Sequence, residues 1–278
     1  MSSTPHNQKI RLRDRRAWLA TMSATGLSMQ LFSSVQPLLA DESVAKWPFE
    51  ATAGAFRIHA DFEIATQADL TTELEQLGSD VAKLLEIQLP QRTVHIVIFS
   101  SPDEYRRYMS HYYPALPERR ALFIQQRGTA MLFAHCHADL ATDLRHETVH
   151  AILNDSTDAL PLWMDEGLAE YFEAPAAQRW SGHAHLQTLK VLADSSQWPE
   201  LSALESIEDV SSMTGEHYQA AWLWVHFLLH RRQSTRRLLV EHLQHLRAGQ
   251  NLPPLSRTVS QQLPAWRDEF GDHFKRLK

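Results

Sequence analysis

The chain has 278 residues, 44% of them hydrophobic, with 27 Lys and Arg against 33 Asp and Glu for a formal net charge of −6. That balance argues against a basic nucleic-acid-binding surface, and a single cysteine, Cys136, excludes an internal disulfide framework. The length suits one domain, or two closely packed lobes, with a substantial core.

Residues 1–40 differ in composition from the rest. Lys9, Arg11, Arg13, Arg15 and Arg16 precede an uncharged run from Ala17 to Ala40, which is the layout of an export signal. Asp14-Arg15-Arg16-Ala17-Trp18-Leu19 resembles the twin-arginine motif, and the mildly apolar run behind it, with Ser, Thr, Gln and Gly throughout, suits that pathway better than a stable membrane span. Leu38-Leu39-Ala40 offers a cleavage site. The expected mature protein therefore begins near Asp41, is periplasmic or extracellular, and has no stable membrane span. Losing five basic residues and one acidic residue brings its net charge near −10.

Ala55 to Ile64 alternates apolar and polar positions and predicts a half-buried strand. Ala68 to Ile87 is helical by spacing, with Leu70, Leu74, Leu77, Val81, Leu84 and Leu85 forming one stripe. Thr93 to Phe99 is β-branched and nearly all apolar, as in a central strand buried on both faces. Ser101-Pro102-Asp103-Glu104 opens a short amphipathic helix through Tyr112. Two strands follow, Ala121 to Gln126 and Thr129 to Ala134, separated by a hairpin-like break at Arg127-Gly128. His59 and His95 fall within strands and read as packed or surface histidines, and His135 and His137 flank Cys136 on alternating strand positions that do not converge on a metal.

The stretch from Asp139 to Phe172 carries the chemistry. His146 and His150 lie four apart in a segment with helical apolar spacing, so both imidazoles project from one face, as two ligands of one tetrahedral zinc require. Glu147, next to the first ligand, is placed to act as general base on a water in the open coordination position. After a turn-like run from Asn154 to Asp158, Pro161 suits the start of a second helix carrying Glu166 and Glu170 one turn apart. Two helices on a short loop pack antiparallel. Glu166 is then the expected third ligand, and Glu170 the group that accepts a hydrogen bond from a ligand histidine.

His146, Glu147 and His150, followed by Trp163-Met164-Asp165-Glu166-Gly167-Leu168-Ala169-Glu170-Tyr171, resemble the gluzincin metallopeptidases of the thermolysin and aminopeptidase N type, and most closely their small single-domain members. The resemblance implies Zn2+ held by His146, His150 and Glu166, with Glu170 behind them, and a peptide or protein substrate. The 15 residues between His150 and Glu166 form a shorter connection than in the large enzymes of that clan. Members of the clan bind an extended peptide along a sheet edge. The run from Gly128 to Phe133 falls where that strand would be, with Thr129, Ala130, Met131 and Leu132 as its centre. No glutamate between Gly128 and His137 matches the one with which aminopeptidases hold a substrate amino terminus, which favours endopeptidase action. The resemblance also implies a tyrosine or histidine from a downstream helix over the zinc, and Tyr218 or His217 meets that description.

Beyond Phe172 the chain is helical by periodicity over Ala184 to Ala193, Glu216 to His230, Ser234 to Arg247 and Pro264 to Leu277. His226 and His230, one turn apart, read as a solvated face. The fold class is α+β: a small mixed β-sheet lobe over 41–138, a zinc-binding helix hairpin over 139–172 and a helical carboxyl-terminal lobe over 173–278. The expected activity is zinc-dependent peptide hydrolysis. A non-catalytic, zinc-stabilised protein that binds a peptide or cell-envelope component is the alternative, against which an intact Glu147 counts. Metal buffering by the histidine-rich surface is a third reading, which predicts several weak sites. The sequence carries no reading of oligomeric state.

Overall fold

The computed structural model describes residues 47–64, 67–126, 129–155, 160–187 and 198–277, so the expected export segment lies outside the described residues. The protein is α+β, with a five-stranded mixed sheet at its amino end and helices beyond it. Strands β1 (Phe49–Ala53) and β2 (Phe56–Ala60) form an antiparallel hairpin. Its turn contains Gly54 at φ 57°, the left-handed backbone that glycine adopts without a Cβ clash. The sequence pattern revealed β2 but not β1. Helix α1 (Gln67–Leu85) turns Leu74, Leu77, Val81 and Leu85 into the core. It leads to β3 (Val94–Phe99), which lies parallel to β2. Helix α2 (Pro102–Tyr112) starts where the sequence places it, with Ser101 Oγ accepting from Glu104 N at 3.3 Å and Pro102 in the first turn.

The hairpin of β4 (Ala121–Gln126) and β5 (Thr129–His135) enters the sheet in the order β1-β2-β3-β5-β4. This corrects the expected edge. Strand β5 lies inside, parallel to β3 on one side and antiparallel to β4 on the other, so the main chain around Thr129, Ala130, Met131 and Leu132 is already paired and has no free edge for a substrate strand. The reason is composition. With Ala130, Leu132, Phe133 and Ala134 buried, β5 is the more apolar member and takes the interior place, leaving β4 and its two glutamines at the rim.

Alternate residues of the sheet feed two cores. Ile96, Ile98, Leu132 and Ala134 face the main core shared with α1 and the later helices, while Val97, Phe99, Leu122 and Phe133 meet Tyr105 and Met109 of α2 on the other face. Helix α3 (Leu140–Leu153) follows β5 across the first of these faces, and α4 (Leu162–Glu173) completes the predicted hairpin. Beyond it come the short α5 (Leu201–Glu205), α6 (Gly215–His230), α7 (Gln233–Arg247), α8 (Leu255–Gln262) and α9 (Trp266–Lys275). Of the expected helix over 184–193, residues 184–187 form a 3-10 turn and the remainder lies outside the described residues.

Helix α6 is the axis of the carboxyl-terminal lobe. Every residue from Ala220 to Leu229 is buried, as expected for a helix that is apolar on all sides. Arginines of α7 tie this lobe to the first: Arg247 donates to the Ile152 and Leu153 carbonyls at 3.1 and 3.0 Å, and Arg236 to that of Leu84 at 2.8 Å. A cation over the last carbonyls of a helix satisfies acceptors with no intrahelical partner, and here it fixes the end of α3. Among the described residues no helix is long and apolar enough to cross a membrane.

Candidate metal centre

His146, Glu147 and His150 lie on α3, and Glu166 faces them from α4. Both imidazole Nε2 atoms stand 3.6 Å from the same oxygen, Glu166 Oε2. That separation is long for a hydrogen bond. It is close to the roughly 3.4 Å expected between two ligands about 2.0 to 2.1 Å from a shared ion in tetrahedral geometry. His150 and Glu166 are 7% and 6% exposed, so the carboxylate is removed from water in a place where only cationic partners compensate it.

The opposite edges of the two rings are occupied. His146 Nδ1 donates to Glu173 Oε2 at 3.0 Å, and His150 Nδ1 lies 3.1 Å from Asp165 Oδ1. A carboxylate that keeps the proton on Nδ1 leaves the Nε2 lone pair free for a metal. Burial opposes charge on His146, but the Glu166 and Glu173 carboxylates beside it outweigh burial and push its pKa up to about 10. Burial likewise opposes charge on His150, yet Asp165 and Glu166 hold it well above the ordinary imidazole value. The carboxylates move the other way. Against burial, His150 and His146 hold Glu166 well below the usual carboxylate range, and His146 and His183 bring Glu173 down to about 2. Charges that draw protons onto both rings also draw a divalent cation to the point the rings share.

Glu170 does not have the role expected of it. Its Oε2 accepts from His185 Nε2 at 2.8 Å, and Glu173, one turn further along α4, is the group that holds His146. The cause is packing: Arg145 of α3 binds the Glu173 carbonyl and places that residue against His146. Glu166, Glu170 and Glu173 share one helical face, so the spacing that singled out Glu170 also contained Glu173. Asp165, next to Glu166, lies off the Glu166–Glu170 spacing that marks the ligand face. His183 donates to the Glu170 carbonyl at 2.9 Å and stacks on Trp222, and no sequence pattern distinguishes it from the other histidines.

Glu147 lies beside the three candidate ligands, and its Oε2 accepts from the main-chain N–H of Phe123 at 2.8 Å. The strand that meets the site is thus the edge strand β4. Of the two candidates on α6, His217 is occupied at the helix start, where its Nδ1 accepts from the Thr214 N–H at 3.1 Å. Tyr218 is half-buried and within electrostatic range of Glu166 and Glu170. Burial and the nearby carboxylates of Glu166 and Glu170 push its pKa up to about 12 while Arg119 opposes them, so near neutral pH the phenol remains a proton donor.

Residues 139–250 match a family described as a protein of unknown function (DUF1570). The match begins at the amino end of α3 and takes in the whole helix hairpin and Tyr218. No curated protein matches the chain.

Proposed function

We propose that the protein is a zinc-dependent peptide hydrolase. The observation that carries this is the convergence of His146 Nε2, His150 Nε2 and Glu166 Oε2 beside the unligated carboxylate of Glu147. Those three atoms would hold the zinc, which when bound would supply a Lewis acid and an activated water. Glu147 takes a proton from the attacking water and returns it to the leaving amine, and the Phe123 N–H keeps the carboxylate oriented for both transfers. The Tyr218 hydroxyl donates to the oxyanion that develops on the substrate carbonyl. Glu173 keeps the His146 imidazole in the ligand tautomer, and the Asp165 carboxylate beside His150 Nδ1 favours the same tautomer there. The outer edge of β4, which among the described residues pairs only with β5, is where an extended peptide would add as a strand beyond the Phe123 N–H held by Glu147, which would supply affinity with little side-chain selection and fit an endopeptidase.

Metal analysis of residues 41–278 together with digestion of a peptide library, with and without chelator, tests the reading. One bound zinc and chelator-sensitive cleavage are expected. Glu147→Gln keeps size and hydrogen bonding but removes the base, so it should retain zinc and lose about 100 to 10,000-fold in turnover. Unchanged turnover in that variant would eliminate the mechanism, and zinc-dependent peptide binding without cleavage by the wild type would replace it with a binding role. Export belongs to the same proposal: lysine at both Arg15 and Arg16 should leave precursor inside the cell, and a mature protein that still begins at Met1 would refute it.

A further inference from the structure

A second group of ligand atoms lies across Glu173 from His146. The Glu173 carboxylate reaches both sides: Oε2 accepts from His146 Nδ1 at 3.0 Å, and Oε1 stands 3.6 Å from His183 Nε2. One donor atom each from Glu170, His183 and His185 lies within 4.8 Å of the other two. His183 and His185 are separated by one residue, a spacing that puts side chains on opposite faces of a strand. Here the 3-10 turn Ala184–Gln187 folds the chain back, and the two rings lie 4.7 Å apart, centre to centre. Helix α6 holds the turn in place. Trp222 stacks on His183 at 4.7 Å and meets His185 edge-on at 5.7 Å, and Gln219 Nε2 donates to the His185 carbonyl at 3.2 Å.

Two imidazoles and one carboxylate repeat the donor set of the first centre, a set that suits zinc and its first-row neighbours. Without an ion the donors satisfy one another. His185 Nε2 donates to Glu170 Oε2 at 2.8 Å, and His183 donates from Nε2 to the Glu170 carbonyl at 2.9 Å while its Nδ1 accepts from the His185 N–H at 3.2 Å. An adjustment of about 1 Å brings such atoms to the roughly 3.4 Å that separates tetrahedral ligands. The side chains of His185 and Glu170 are 23% and 14% exposed and that of His183 is 3% exposed, so an ion enters over the first two and meets the third in the interior. From this grouping we infer that Glu170, His183 and His185 form a second divalent-metal site, separate from that of His146, His150 and Glu166 and joined to it through Glu173. The site needs no catalytic step and does not rest on the peptidase reading. Binding moves the ring proton of His185 to Nδ1 and gives up two hydrogen bonds, so the site is weaker than the first by about 10 to 100-fold and fills after it.

Titration of the chelator-stripped full chain with cobalt(II), read by equilibrium dialysis and visible absorption, decides it. Two equivalents should bind, the second about 10 to 100-fold more weakly than the first. Glu170→Gln, His183→Gln and His185→Ala should each lose the second step and keep the first, which also shows that the variants fold. His183→Gln retains a donor for the Glu170 carbonyl, so the end of α4 stays satisfied while a ligand is lost. His150→Ala should do the reverse, losing the tight step and keeping the weak one. A single equivalent that His150→Ala removes would overturn the inference. So would a second step that survives in His185→Ala, or one that His185→Ala removes together with the first. If the wild type binds one equivalent that His150→Ala leaves intact and His185→Ala abolishes, the second site stands and the zinc reading of the first fails.

Discussion

His146 is gripped from two sides, by Glu166 at Nε2 and by Glu173 at Nδ1, and the two carboxylates have different jobs. Only the Nε2 side faces the point shared with His150 and Glu166, so on the proposed zinc reading Glu166→Ala removes a ligand and should abolish stable zinc binding. Glu173→Ala leaves all three ligand atoms in place but frees the imidazole to rotate and change tautomer, which should weaken zinc by about 10 to 100-fold. Asp165→Asn should act on His150 in the same direction. Glu170→Ala should have a smaller effect than either, because its carboxylate is engaged by His185. Isothermal titration of the four variants with zinc ranks them, and a larger loss from Glu170→Ala than from Glu173→Ala would show that the side chains rearrange when the ion arrives.

Helix α4 delivers Glu166, and its position is set by contact with α6 as much as by the hairpin with α3. At Gly167 an added Cβ would lie 2.7 Å from the Ala221 carbonyl oxygen and 2.9 Å from Val225 Cγ2. The first of these is backbone in a fully buried helix and has nowhere to go, so Gly167→Ala should cost about 1 to 3 kcal/mol. It should also weaken zinc by moving Glu166, and thermal unfolding with and without zinc reads both effects; an unchanged melting temperature would mean that the two helices slide freely. The α3–α4 hairpin, the β4–β5 hairpin and the cap at Ser101 were legible in the sequence because their information is local: apolar period, a break, a capping residue. Strand order was not, because β5 takes its inner place only through non-local pairing with β3, and with it went the identity of the edge beside Glu147. Glu173 was hidden differently. It shares a face with Glu166 and Glu170, but which of them meets His146 depends on how far α4 overlaps α3.

The whole molecule is built around α6, whose apolar sequence on every side marks an interior helix, so His226 and His230 do not form the solvated face that their spacing predicts. His226 is 0% exposed and His273 3%. His226 Nδ1 meets His273 Nε2 at 2.9 Å, His226 Nε2 donates to the Trp180 carbonyl at 3.0 Å, and Tyr171 OH lies 2.7 Å from His230 Nε2. Burial lowers all three imidazoles, aided for His226 by the neighbouring histidines: His226 to about 2, His273 to about 3 and His230 to about 4. A folded pKa below the unfolded value means that the unfolded chain binds more protons in acid. Stability is therefore complete above about pH 6.5 and is lost as pH falls toward the folded values. Each imidazole that stays neutral costs about 1.4 kcal/mol per pH unit over that window, so the two most buried rings alone remove roughly 5 kcal/mol by about pH 4.5. Against a total of about 5 to 15 kcal/mol, that is enough to bring a domain close to unfolding. On the proposed zinc reading, release of the ion would add to the loss in acid, because protons compete for the ligand nitrogens, so the measurement uses chelator-treated protein. Its melting temperature should fall steeply between about pH 6.5 and 4.5. His226→Gln retains a donor for the Trp180 carbonyl but no longer titrates, and it should flatten that slope; the same slope in the variant would place the acid sensitivity elsewhere in the molecule.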